Sequence, residues 1–176
     1  MQTKVCIPSK RGLKSTLLSL FYTRISMQSA SEADSEQRPL NGDPFEEVEH
    51  TADWALRIRG RDLRELLVNA ARGMSNLLVP DSARIPSSVE ACFDIEADDA
   101  ESLLVNWLSE LAYRAEMEGI VFGEFNLHQV SPTHLQAVVR GGPVPRLQKH
   151  IKAVTYHNLE IVETDNGLLT EVVFDV

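Results

Sequence analysis

No apolar run in this sequence approaches the ~20 residues that a membrane-spanning helix requires. Cysteine is scarce too: Cys6 and Cys92 are the only two in 176 residues. Disulfide-built domains are cysteine-dense, and no zinc-ligand spacing is present, so two reduced thiols are expected. The chain has no internal repeat. It has no glycine-rich phosphate loop, no nucleophile elbow and no metalloprotease helix, which removes the commonest sequence-readable routes to nucleotide, acyl and peptide chemistry.

Positive charge is in short supply and unevenly placed. There are 17 Lys and Arg against 26 Asp and Glu, a formal net charge of −9. Residues 1–42 hold six of the basic and three of the acidic side chains, which leaves residues 43–176 with 11 basic, 23 acidic and a net of −12. An acidic body repels phosphate backbones and gains little from counterion release. Direct, tight nucleic-acid binding is therefore disfavoured, whereas metal ions or a basic partner are attracted.

What is there is a chain with 43% hydrophobic and 24% charged residues, enough apolar material for a core. Its first 42 residues read differently. Lys4, Lys10, Arg11, Lys14 and Arg24 precede the first acidic residue, Glu32, and flank the apolar stretch Leu17–Tyr22. Three readings stand: a wrongly chosen start with Met27 as the true one, a targeting segment, or a disordered extension. The folded domain is expected over residues 43–176.

Within it, Trp54, Leu56 and Ile58 alternate with Ala55, Arg57 and Arg59, as in a half-buried strand. Asp62 and Glu65 form a capping-box pattern ahead of a stripe of Leu63, Leu66, Leu67, Ala70, Ala71, Met74, Leu77 and Leu78. Val89, Ala91, Phe93 and Ile95 mark a second strand. A second helix follows, with Asp98 and Glu101 as its capping box and an apolar stripe of Leu103, Leu104, Trp107, Leu108, Leu111 and Ala115, stopping at Gly119. The pattern predicts helices near 62–78 and 99–118. Further strands are expected over 122–130, 134–140, 151–162 and 168–174, the last two joined by a hairpin at Thr164–Gly167. This is an α+β pattern: a single layered domain with an antiparallel or mixed sheet and two long amphipathic helices packed on one face.

Three carboxylate positions stand out. Asp53 lies between strand-like runs, Asp98 and Asp99 at a helix N-terminus, and Asp175 beside Val176 at the end of an apolar strand. Each also has a plain structural reading, as turn former, helix cap or solvated tail. Lys152, Thr155, Tyr156 and His157 are unusually polar for a strand that also carries Ile151 and Val154, which marks either a solvent face or a recognition face.

Taken in order, His50-Thr51-Ala52-Asp53, the run from Asp99 to Leu108, Lys152-Ala153-Val154-Thr155-Tyr156-His157 and the ending Asp175-Val176 resemble the signature motifs of the archease family. The resemblance spans residues 45–176. It implies an archease-like fold and a non-enzymatic cytoplasmic accessory protein. That protein would activate an RtcB-type GTP-dependent RNA ligase in tRNA splicing, promoting guanylylation of the ligase and multiple turnover. An older reading of the family is a chaperone-like modulator of tRNA-modifying enzymes. By motif, the implied ligands of a divalent ion are Asp53, Asp99, Asp175 and the Val176 carboxylate, with Asp98 left as the helix cap. All-oxygen donors suit a hard ion, Ca²⁺ first and Mg²⁺ or Mn²⁺ as alternatives. Carboxylates ~4 Å apart repel by roughly 1 kcal/mol per pair in water and by about 4 at an effective dielectric of ~20, so such a cluster calls for a cation or a proton. The segment Gly141-Gly142-Pro143-Val144-Pro145-Arg146 departs from the family pattern. Two rivals remain: a metal-dependent hydrolase or nuclease using the same carboxylates, and an interaction module that binds no metal.

Overall fold

Gly60 closes one strand and Asp62 opens the first helix, and the turn between them admits little else. A Cβ on Gly60 would lie 2.3 Å from the Leu66 amide nitrogen, so glycine lets the strand end pass directly against the helix start. The computed structural model describes residues 42–49, 54–79 and 85–176, all within one unit of the chain. His50 and Asp53, and the whole of the basic N-terminal segment, fall outside the described residues.

The order is β1 (Phe45–Glu49), β2 (Trp54–Gly60), α1 (Leu63–Leu78), β3 (Val89–Glu96), α2 (Ala100–Glu118), β4 (Ile120–Ser131), β5 (His134–Pro143), β6 (Ala153–Val154), β7 (Val162–Thr164) and β8 (Gly167–Asp175). The α+β class is as expected from the pattern, and both helices start and stop within a residue or two of their predicted ends. Every strand pair is antiparallel. The strands divide into two sheets rather than one. One runs β1-β2-β8-β6, with β7 also on β8, and the other runs β3-β5-β4.

Asp62 caps α1 by accepting from the Glu65 amide at 2.8 Å. Glu65 reaches back one residue further than a capping box requires, to the Arg61 amide at 2.6 Å. The predicted stripe of α1 is buried from Leu66 to Leu78, with Leu63 packed at its margin. Its counterpart on α2 buries Leu103, Leu104, Trp107, Leu108, Leu111 and Ala115. Trp107, fully buried, donates its indole N–H to the Leu67 carbonyl at 3.1 Å, joining the two helices. Phe93 and Phe125 meet its ring edge-on at centroid distances of 5.4 and 6.1 Å, the arrangement that aromatic quadrupoles favour.

Three local expectations are corrected. The predicted strand 151–162 is broken into β6 and β7. Asn158 takes a left-handed φ of 51°, the Leu159 amide turns back to the Tyr156 carbonyl at 3.2 Å, and the Glu160 carbonyl accepts from the Thr170 hydroxyl at 2.8 Å instead of from a strand partner. The β5 strand runs on past Arg140 through Gly141 and Gly142 to Pro143, which pairs with Ile120. Alternation on β2 holds at Leu56 and Ile58 against Arg57 and Arg59, but Trp54 is 36% exposed and Ala55 is buried. The hairpin into β8 is present, with Asp165 and Asn166 as its loop and Thr164 paired to Gly167. Its positive φ falls on Gly167, at 114°. No helix among the described residues is long and apolar enough to cross a membrane.

Candidate functional site

The register of β8 decides what meets at its C-terminal end. Trp54, the first described residue of β2, pairs with Phe174, and on the other side of β8 Val154 pairs with Phe174 and Ala153 with Asp175. Phe174 is fully buried and anchors this end in the core, while Asp175 is exposed and Val176 half-buried. The expected ligand Asp53 itself lies outside the described residues.

The segment leading into β6 is laced to this end by several side chains. Lys152 donates its main-chain amide to the Asp175 carbonyl at 2.8 Å and its ammonium to the Val176 main-chain oxygen at 2.5 Å. Thr155 directs both its amide and its hydroxyl to the Val173 carbonyl, each at 3.0 Å. Glu116 of α2 accepts from the Ile151 amide at 2.9 Å and meets the His150 ring at 2.9 Å. Lys149 reaches Glu47 of β1 at 3.0 Å and sits 3.0 Å above the Trp54 ring, a cation–π contact that holds the exposed indole in place.

At the α2 N-terminus the structure corrects one assignment. Asp99, not Asp98, is the N-cap: its backbone is extended and its carboxylate accepts from the Ser102 amide at 2.7 Å. The capping box expected between Asp98 and Glu101 is absent because Asp98 lies one residue too early. Glu101 instead accepts from the Ile161 amide at 3.1 Å. Those Ser102 hydrogen bonds, from the backbone first and the side chain second, hold the Asp99 carboxyl below its ordinary pKa against a small opposing effect of burial. Asp99 is thus held as a carboxylate, the form a hard cation takes.

Among the described residues, no three His, Cys, Asp or Glu side chains are grouped closely enough to hold a metal ion. That group could include neither Asp53 nor the main-chain oxygen of Val176. Of the four expected donors, the register brings Asp175 and Val176 to the end of β8 next to the start of β2. Asp99 stands at the start of α2, and the Glu101–Ile161 bond ties that helix end to the strand-connecting segment between β6 and β7. The donors are all oxygens, which fits a hard divalent ion. Lys149 and Glu116 escaped the sequence reading, and Glu101 entered it only as half of a capping box, since their partners lie 102, 35 and 60 positions away and no local pattern announces them.

The family model for the Archease protein family (MTH1598/TM1083) matches residues 45–176. The chain belongs to the archease family. The archease of Methanosarcina acetivorans is 35% identical over 146 residues, covering 78% of this chain and 99% of its own. That of Methanopyrus kandleri is 33% identical over 140 residues, covering 76% and 99%. The solution structure of protein 1598 of Methanobacterium thermoautotrophicum matches with a TM-score of 0.63 at 28% identity, over 76% of this chain and 99% of that one. The crystal structure of the Thermotoga maritima archease, described as a possible chaperone, matches with a TM-score of 0.53 at 24% identity, over 73% and 94%, a likeness of fold.

Proposed function

We propose that this archease is a divalent-cation-dependent accessory protein that activates an RtcB-type GTP-dependent RNA ligase, promoting its guanylylation and repeated turnover in tRNA splicing. One observation carries the reading. Two of the four family-like segments meet at one end of one sheet: the Lys152–His157 segment pairs through Ala153 with Asp175, the last residue of β8, and on the other side of β8 Trp54 pairs with Phe174. The segment that begins at Asp99 is tied through Glu101 to Ile161, in the connection that follows His157.

Asp53, Asp99, Asp175 and the Val176 main-chain oxygen would hold the ion, with Ca²⁺ the first candidate. A bound cation would supply charge that offsets the mutual repulsion of these carboxylates. The chain's own residues do the rest. Asp99 is kept ionised by Ser102, and the β2–β8–β6 pairing fixes the strand end. The exposed Tyr156, His157 and Lys152 present a polar surface beside it. The acidic body disfavours RNA as a direct ligand, so a protein partner is the reading kept, in line with the description of the Thermotoga relative as a possible chaperone.

The test is ligase guanylylation and RNA joining, with substoichiometric amounts of this protein added across a range of Ca²⁺, Mg²⁺ and Mn²⁺ concentrations. Activation is expected for the native chain and loss to the ligase-alone rate for Asp53→Ala and Asp175→Ala, both still folded. No activation with any ion defeats the proposal. RNA or nucleotide hydrolysis by the chain alone would put the hydrolase reading in its place.

A further inference from the structure

The Val176 main-chain oxygen, proposed above as a ligand, already has a cation on it. The Lys152 ammonium lies 2.5 Å away, and the Lys152 amide is fixed 2.8 Å from the neighbouring Asp175 carbonyl. The side chain is therefore hinged directly at the strand end and reaches over it. We propose that Lys152 is a built-in counter-cation of this site, which a bound divalent ion displaces, so that loading the site turns the Lys152 ammonium outward beside Tyr156 and His157.

Geometry supplies the argument. A hard ion bonds an oxygen at about 2.3–2.6 Å. Added to the 2.5 Å of the ammonium, that places both cations within ~5 Å of each other if they share the oxygen. Like charges so close repel, and the weaker, monovalent partner on the flexible stem is the one able to move. Lys152 is exposed, so nothing packed above it resists the swing. Lys149, the nearby lysine, differs: its side chain is only 15% exposed and is held by Glu47 and the Trp54 ring. Cation occupancy would thus be converted into the position of one charged side chain on the polar surface that the partner is proposed to read. Without the ion Lys152 neutralises the strand end; with it, a lysine is free to meet an acidic group on another protein.

This rests on the cation reading above, and the experiment separates the two. Calorimetry with Ca²⁺ on the full chain gives the first measurement. Lys152→Gln is expected to bind Ca²⁺ roughly tenfold more tightly than the native chain, the gain from removing a nearby like charge, while Lys152→Arg stays close to native. The second measurement uses the native chain: acylation of lysine amines read by mass spectrometry, where Lys152 labelling is expected to rise several-fold on adding Ca²⁺ and Lys149 labelling to stay constant. Calcium binding with unchanged Lys152 labelling, or with equal or weaker affinity in Lys152→Gln, overturns this proposal and leaves the cation site standing. Absence of calcium binding in every variant overturns both.

Discussion

Glu101, in the first turn of α2, accepts a hydrogen bond from the main-chain amide of Ile161 at 3.1 Å. The bond ties the start of a core helix to the irregular segment that carries Tyr156 and His157. Removing it with Glu101→Ala should cost about 1 kcal/mol and speed hydrogen exchange at the Ile161 amide well above that at Val172, which stays in the β2–β8 ladder. Unchanged exchange at Ile161 would show that the segment is held by other contacts.

Asp99 carries two assignments, cap and ligand, and one pair of variants separates them. Asn caps as well as Asp, so Asp99→Asn should keep the melting temperature near the native value yet weaken Ca²⁺ binding. Asp99→Ala should lose both, with a drop of a few degrees. Equal calcium affinity in Asp99→Asn and the native chain would leave Asp99 as a cap alone.

The same residue sets a pH dependence. Its carboxyl pKa is lowered in the fold, chiefly by the Ser102 amide. A lowered folded pKa contributes stability that is fully present above the unfolded value, about 3.9, and is lost as pH falls through the folded value. Thermal melts at low ionic strength should therefore show the native chain's advantage over Asp99→Ala as constant near neutrality and shrinking only in acid below the usual aspartate range.

Gly141 makes room for the close approach of β4 beside its register shift at Phe122 and Glu124. A Cβ there would lie 2.1 Å from the Val121 carbonyl oxygen and 2.6 Å from the Phe122 Cα, both backbone atoms. Gly141→Ala should destabilise by about 1–3 kcal/mol or more, seen as a lower denaturant midpoint with an unchanged slope. The Gly141-Gly142 pair, which departs from the family pattern, thus has a packing reason of its own.

The described core is built from residues between Phe45 and Val176. A chain starting at Gly42 should melt within ~2 °C of the full chain, because surface and tail changes that remove no core contact shift stability little. A fall of many degrees in differential scanning calorimetry would show that the N-terminal segment packs on the domain.

Some of this molecule could be read directly from its sequence. Both helices could, because their stripes of Leu, Ala, Met and Trp recur at the helix's own period and Asp62 and Gly119 punctuate them within one turn; such signals need no knowledge of the partner. The strand β3 could too, from its alternation, and β8 from its apolar run. The four family-like segments pointed to the archease family, and the acidic balance pointed away from direct nucleic-acid binding. Tertiary structure alone decided the rest. Alternation marks a strand but names no neighbour, so the division into two sheets, and β8 lying between β2 on one edge and β6 and β7 on the other, had no local trace. The break at Asn158 depends on Glu101 and Thr170, 57 residues before and 12 residues after it, drawing the Ile161 amide and the Glu160 carbonyl out of the ladder. The choice of Asp99 over Asp98 as cap turned on a single residue of helix phase, which a capping pattern fixes only loosely. The placing of Lys152 on Val176 came from strand register, because pairing Ala153 with Asp175 brings together residues that 24 positions of chain keep apart.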